Sequence, residues 1–192
     1  MEVIPTEIIT EISERLMHFK QKLLDVQIQC SSDIVINSAD YRNNESIKEI
    51  TDQIVVAGKE PIIYIISCEN EDERYNLINK YNEFQKSNSE TVAYNSRINV
   101  ARSNKTNNPV LYLGSSINNI RTRISQHLGK CDAKTYSLHL SKWDGGINYN
   151  IRIQTFKILT DIEPEHKRKF VEMIEQELWD KAKPVFGKQS GL

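Results

Sequence analysis

The chain has 192 residues, 39% of them hydrophobic and 27% charged, with only 7 glycines and 5 prolines, which suits one globular domain with room for an extension and excludes fibrous, low-complexity and wholly disordered chains. The net charge of −1 hides a segregation: residues 1–96 hold 9 Lys and Arg against 17 Asp and Glu, residues 97–143 hold 8 against Asp132 alone, and residues 144–192 hold 8 of each. The basic middle block makes a polyanion, nucleic acid first, the expected partner. No apolar run reaches the roughly 18 residues of a membrane helix, and no basic start with an apolar core opens the chain. Cys30, Cys68 and Cys131 form no CxxC pair, so neither a disulfide framework nor a cysteine zinc site is expected, and the reducing cytoplasm is the expected compartment.

In chain order, residues 6–26 place Ile8, Ile9, Ile12, Leu16, Phe19 and Leu23 at steps of three and four, which predicts an amphipathic helix started by Pro5 and Thr6. DIVIN at 33–37 reads as a short strand. Ile47, Ile50, Ile54 and Ala57 predict a second helix over 45–57, stopped by Gly58. PIIYIIS at 61–67 reads as a buried strand by its β-branched content. Residues 70–86, with Leu77, Ile78, Tyr81 and Phe84, predict a third helix. Short strands are expected at 91–94 and 97–101, a loop at 103–108, and a strand at 110–113 closed by Gly114. Helix 117–128 carries the stripe Ile117, Ile120, Ile124 and Leu128. After the Asp144-Gly145-Gly146 turn, apolar and polar residues alternate over 147–154, a strand with one buried face. A last helix over 163–182 begins at Glu163-Pro164 and ends before Pro184.

Several chemistries lack their motif. Gly114 has no GxGxxG or GxxxxGK[ST] around it, Ser115 and Ser116 are not in a GxSxG context, and no HExxH is present. One constellation remains. Asn119, Arg123 and His127 stand four apart and share a face of helix 117–128, next to Tyr112 on the preceding strand. Arginine offers a two-pronged donor to phosphate oxygens, and tyrosine and histidine can move protons. In the last helix Glu175 has Val171 four before it and Leu178 three after it, so it leans to the apolar side, a costly place for a carboxylate without a cation.

Val110-Leu-Tyr-Leu-Gly-Ser-Ser116 followed by Ile117-Asn-Asn-Ile-Arg-Thr-Arg-Ile-Ser-Gln-His127 resembles the YIG strand and catalytic helix of the GIY-YIG nucleases, and Glu175 lies nine residues before Pro184, as in that family's metal-binding segment. The resemblance covers about residues 60–187. It implies an α+β fold: a small antiparallel or mixed sheet of about three strands flanked by helices. Residues 1–60 are then a mostly helical extension and 61–192 the nuclease-like domain, with an insertion at about 68–108. It further implies a metal-dependent DNA endonuclease, or a nucleic-acid-binding module of the same fold that has lost catalysis. Tyr64, Tyr112, Arg123, His127 and Glu175 would be catalytic, and Glu175 would hold Mg2+ or Mn2+. Arg97, Arg102, Lys105, Arg121, Lys130 and Lys134, from the basic block, would meet DNA. No membrane association is expected, and the N-terminal helices offer a dimerisation surface. Two departures stand out. Ile62-Ile63-Tyr64 has isoleucine for the family's glycine and lies 48 positions before Tyr112, so either segment 61–67 or segment 97–101, with Asn99, supplies the GIY strand. Gly187 replaces an asparagine often found three residues after the proline.

Overall fold

The computed structural model describes residues 5–56, 60–91 and 97–189. In order the elements are α1 (Thr6–Leu24), β1 (Gln27–Asn37), a 3-10 turn (Ser38–Tyr41), α2 (Asn44–Asp52), β2 (Ile62–Ser67), α3 (Glu71–Glu90), β3 (Val110–Ser116), α4 (Ile120–Leu128), α5 (Leu140–Trp143), β4 (Asn150–Leu159) and α6 (Pro164–Ala182). The strands form one sheet in the order β1-β4-β2-β3, and every neighbouring pair is antiparallel.

The sheet has four strands where about three were expected, because residues 1–60 do more than form helices. β1 extends six residues upstream of DIVIN, and those residues, Gln-Ile-Gln-Cys-Ser-Ser, give no alternating pattern. β1 is an edge strand, and five of those six residues keep contact with solvent, so the backbone ladder with β4 holds them in place without an apolar face. β2 is the opposite case: it is paired on both edges and buried on both faces, as its unbroken apolar run requires.

Helices cover both faces of the sheet. Ile62, Tyr64 and Ile66 of β2 enter a large cluster with Ile47 and Ile50 of α2, Leu77 of α3 and Ile124 of α4. Ile63 points the other way, into a smaller cluster with Phe19 of α1 and Phe170, Val171 and Ile174 of α6. Pro164 opens α6 as expected, and the structure adds side-chain caps at α2 and α3, from Asn43 and Asn70. α2 stops at Asp52, short of the expected 57, but Ile54 beyond its end is still fully buried. Residues 57–59, with Gly58, and most of the strand expected at 91–94 lie outside the described residues.

α3 and the loop after it separate β2 from β3 in sequence but not in space. The buried Arg74 ties them down: it donates to the carbonyls of Cys68 and Glu69 and, through Nε, to Asn107 Oδ1. Beyond α6 the chain returns along β3, with the amides of Val185 and Phe186 donating to the carbonyls of Val110 and Leu111. That return stroke carries Gly187 to the back of the candidate site.

Candidate active site

Of the two segments that could accompany β3, it is β2 that pairs with it. Tyr64 stands opposite Gly114 and Ile66 opposite Tyr112, whereas segment 97–101 contributes only an isolated bridge from Val100 to Ser137. Asn99 donates its amides to the carbonyls of Ala133 and Lys134, so it takes no tyrosine's place. Tyr64 and Tyr112 lie nearly parallel, ring centroids 6.1 Å apart.

Gly114 makes this close approach possible. A Cβ at that position would lie 2.7 Å from Tyr64 Oη and 3.0 Å from Tyr112 Cε1. The obstacle is the rigid end of a buried ring that is already hydrogen-bonded, so it cannot swing aside cheaply. Gly114→Ala is therefore expected to displace the Tyr64 hydroxyl and to slow any reaction that the site carries out about 100-fold with the helical circular dichroism unchanged. An alanine variant as fast as the parent would show that the hydroxyl's position is immaterial.

α4 follows β3 after a short turn. Its first residue is Ile120, not Ile117, and Asn119 is its N-cap, accepting from the Thr122 amide. The expected polar row thus loses its first member: Asn119 serves the helix start, and Arg123 and His127 remain. His127 is fully buried, and its Nδ1 accepts the Leu138 amide at 3.2 Å. Burial first, and the neighbouring Arg123 next, hold its pKa well below the ordinary histidine value. A neutral ring that accepts at Nδ1 must carry its proton on Nε2, so Nε2–H donates to the Tyr64 oxygen at 2.9 Å. Arg123 Nη2 lies 3.4 Å from the same nitrogen, while Nη1 donates to Gln126 Oε1 and the Tyr136 carbonyl. Burial pushes the pKa of both tyrosines up, and the Arg123 charge opposes the shift.

His139 is also buried, with its pKa lowered by burial. Both histidines are neutral in the fold and free to take protons when unfolded, below a pKa of about 6.5. The unfolded state therefore binds more protons, and stability falls as pH drops through 6.5. Each histidine contributes a slope of up to about 1.4 kcal/mol per pH unit. Urea midpoints between pH 7.5 and 5 should show the loss, and His127→Gln should reduce it, leaving the share due to His139. A parent profile flat across that range would contradict the buried neutral state.

Glu175 reaches the site from α6. Ser115 Oγ, at the end of β3, donates to its Oε2 at 2.5 Å, and its charge raises the pKa of both tyrosines. Beside these groups opens a cleft of about 950 Å3 between the start of α4 and the first turns of α6, lined among others by Ser115, Asn119, Arg123, Lys167, Arg168 and Glu172. No group of three His, Cys, Asp or Glu side chains poised for a metal occurs among the described residues. Glu175 itself is not among the side chains that line the cleft, though its partner Ser115 is; one carboxylate beside a serine hydroxyl fits a hard ion that keeps most of its water and takes the rest of its shell from a phosphate.

The basic residues expected to meet DNA are scattered. Arg121 turns to α2, where it donates to the Ile54 and Asp52 carbonyls, Lys130 reaches the Asn44 carbonyl, and Arg97 donates to the Thr91 carbonyl. Arg102 and Lys105 are exposed, and Lys134 lines a separate shallow pocket with Arg97 and Asn99. None of the six lines the cleft; its cations are Arg123, Lys167 and Arg168. Counting charge along the chain passes over Lys167 and Arg168, because residues 144–192 are neutral in sum. Their spacing before Glu172 and Glu175 on one helix is the signal that was present. Gly187 has φ +116°, and a Cβ there would lie 3.2 Å from Tyr112 Cε2, so the family's asparagine would meet both a steric and a conformational obstacle.

Residues 100–185 match the family model described as GIY-YIG catalytic domain. The matched span contains Tyr112, Arg123, His127 and Glu175 and starts after Tyr64. No curated protein and no solved structure matches the chain. Among the described residues no helix is long and apolar enough to cross a membrane.

Proposed function

We propose, given that the chain belongs to the GIY-YIG superfamily, that it is a metal-dependent endonuclease that hydrolyses phosphodiester bonds in DNA. The observation that carries this reading is the convergence of Tyr64, Tyr112, Arg123 and His127 around one buried hydrogen bond, with Glu175 bonded to the end of the same strand.

Glu175 would hold Mg2+ or Mn2+, which when bound supplies Lewis-acid polarisation of the scissile phosphate. The other roles belong to the chain itself. Arg123, on the cleft wall, presents its guanidinium to the phosphate oxygens as negative charge builds on them. His127 donates to Tyr64 and so orients it; with Nδ1 already occupied by Leu138, the ring is a positioning group rather than a relay. Tyr64, kept protonated by burial, orients the attacking water through its hydroxyl. Lys167, whose ammonium has no hydrogen-bond or ion-pair partner among the described residues, meets the backbone phosphates beside the scissile one.

Incubation with supercoiled plasmid and Mg2+ tests the reading. Nicked or linear product is expected, lost on chelation and restored by Mg2+. Salt-sensitive retention of DNA with no nicking under any divalent ion would favour the inactive module instead.

A further inference from the structure

Among the described residues two arginines line the cleft, and the fold treats them differently. Arg168 donates through Nε to Glu172 Oε1 at 2.9 Å, so its charge is met by a carboxylate of its own helix. Arg42, Arg121 and Arg152 are likewise paired with Asp144, Asp52 and Asp33. Arg123 makes no ion pair among the described residues. Its Nη1 donates instead to Gln126 Oε1 at 2.6 Å and to the Tyr136 carbonyl at 3.4 Å, both neutral acceptors. Gln126 is itself anchored. Its backbone carbonyl accepts from Ser137 Oγ at 3.1 Å, from Cys131 Sγ at 3.5 Å and from the Gly129 amide that closes α4.

An acceptor beside an arginine can fix the direction of its guanidinium in two ways. A carboxylate does so and offsets the positive charge, strongly where the pair is half-buried as Arg123 is; an amide oxygen does so and leaves the charge whole. Where negative charge builds on a phosphate, only the second serves. We propose that Gln126 is a positioning residue for the reaction: its amide oxygen holds one arm of the Arg123 fork and leaves the full charge to a phosphate in the cleft. This rests on the nuclease reading of the site. Gln126 stands three residues after Arg123 on α4, a spacing that puts both on one face, but it does not itself line the cleft, so it acts through the arginine.

Gln126→Glu is nearly isosteric and keeps an acceptor for Arg123, so the urea midpoint should hold or rise. Binding of inorganic phosphate, read from the NMR shifts of the Ser115, Asn119 and Arg123 amides at up to about 50 mM phosphate, should nonetheless weaken at least about tenfold. Mg2+-dependent nicking of supercoiled plasmid should slow by at least about as much. Gln126→Met, which keeps the charge but frees the guanidinium, should fall between the parent and Gln126→Glu in both. In an Arg123→Ala background Gln126→Glu should change neither readout by more than about twofold, since the glutamine acts through the arginine. A Gln126→Glu chain that binds phosphate and nicks plasmid as the parent does, an equal loss in the Arg123→Ala background, or a parent whose cleft amides do not respond to phosphate would overturn the proposal. A parent that binds phosphate but leaves plasmid intact would count against the nuclease reading, and the phosphate titrations would still decide the role of Gln126.

Discussion

Replacing Glu175 by glutamine is expected to cut Mg2+-dependent nicking at least about 100-fold, the loss typical of removing a main electrostatic stabiliser, while DNA retention persists. Glutamine keeps the shape and can still accept from Ser115, so the substitution removes charge and leaves the packing of α6 against β3 intact. The carboxylate is held beside two tyrosines whose own ionisation it opposes, a placement that a cation relieves. Rising Mg2+ should recover part of the rate in the parent at low metal but not in Glu175→Gln. Near-normal nicking by the variant would remove Glu175 from the mechanism. Loss of DNA retention along with cleavage would assign it a binding role.

Arg123→Ala should lower cleavage by about 100- to 1000-fold, and Arg121→Ala should leave the rate per folded molecule within about threefold. Two residues along a helix turn a side chain through about 200°, so the two arginines leave α4 on nearly opposite sides. Arg121 spends its donors on the Ile54 and Asp52 carbonyls beside α2, and its loss should show mainly in the unfolding midpoint. Arg123 stands on the cleft wall against His127 and near both tyrosine hydroxyls. Arg123→Lys should rescue poorly, because an ammonium cannot present two parallel donors to a phosphate. Equal losses from alanine at 121 and at 123 would mean that the assay reads general basic charge and no particular site.

Much of this protein is written locally. The period of the apolar residues gave α1, α3 and α6, and Asn70, Pro164 and Pro184 mark their ends, because caps and proline act within one turn of where they stand. Tyr112-Leu113-Gly114, Arg123 and His127 could be found together because strand and helix are consecutive, and Glu175 because its own helix neighbours are apolar. What the chain alone left open is non-local. Whether 61–67 or 97–101 pairs with 110–116 depends on which partner buries more apolar backbone in the sheet, and β2, paired on both edges, does so. The first half of β1 has almost no apolar pattern because an edge strand is held by ladder bonds. The direction of a charged side chain is equally a matter of what lies across from it: Arg121 is drawn to carbonyls 67 and 69 positions away, while Lys167, in a segment of no net charge, faces the cleft. Sequence determined which residue types the site could use, since chemistry travels with the side chain. Tertiary structure decided which of them meet, since a hydrogen bond such as Tyr64 to His127 joins positions 63 apart whose approach only the folded sheet brings about.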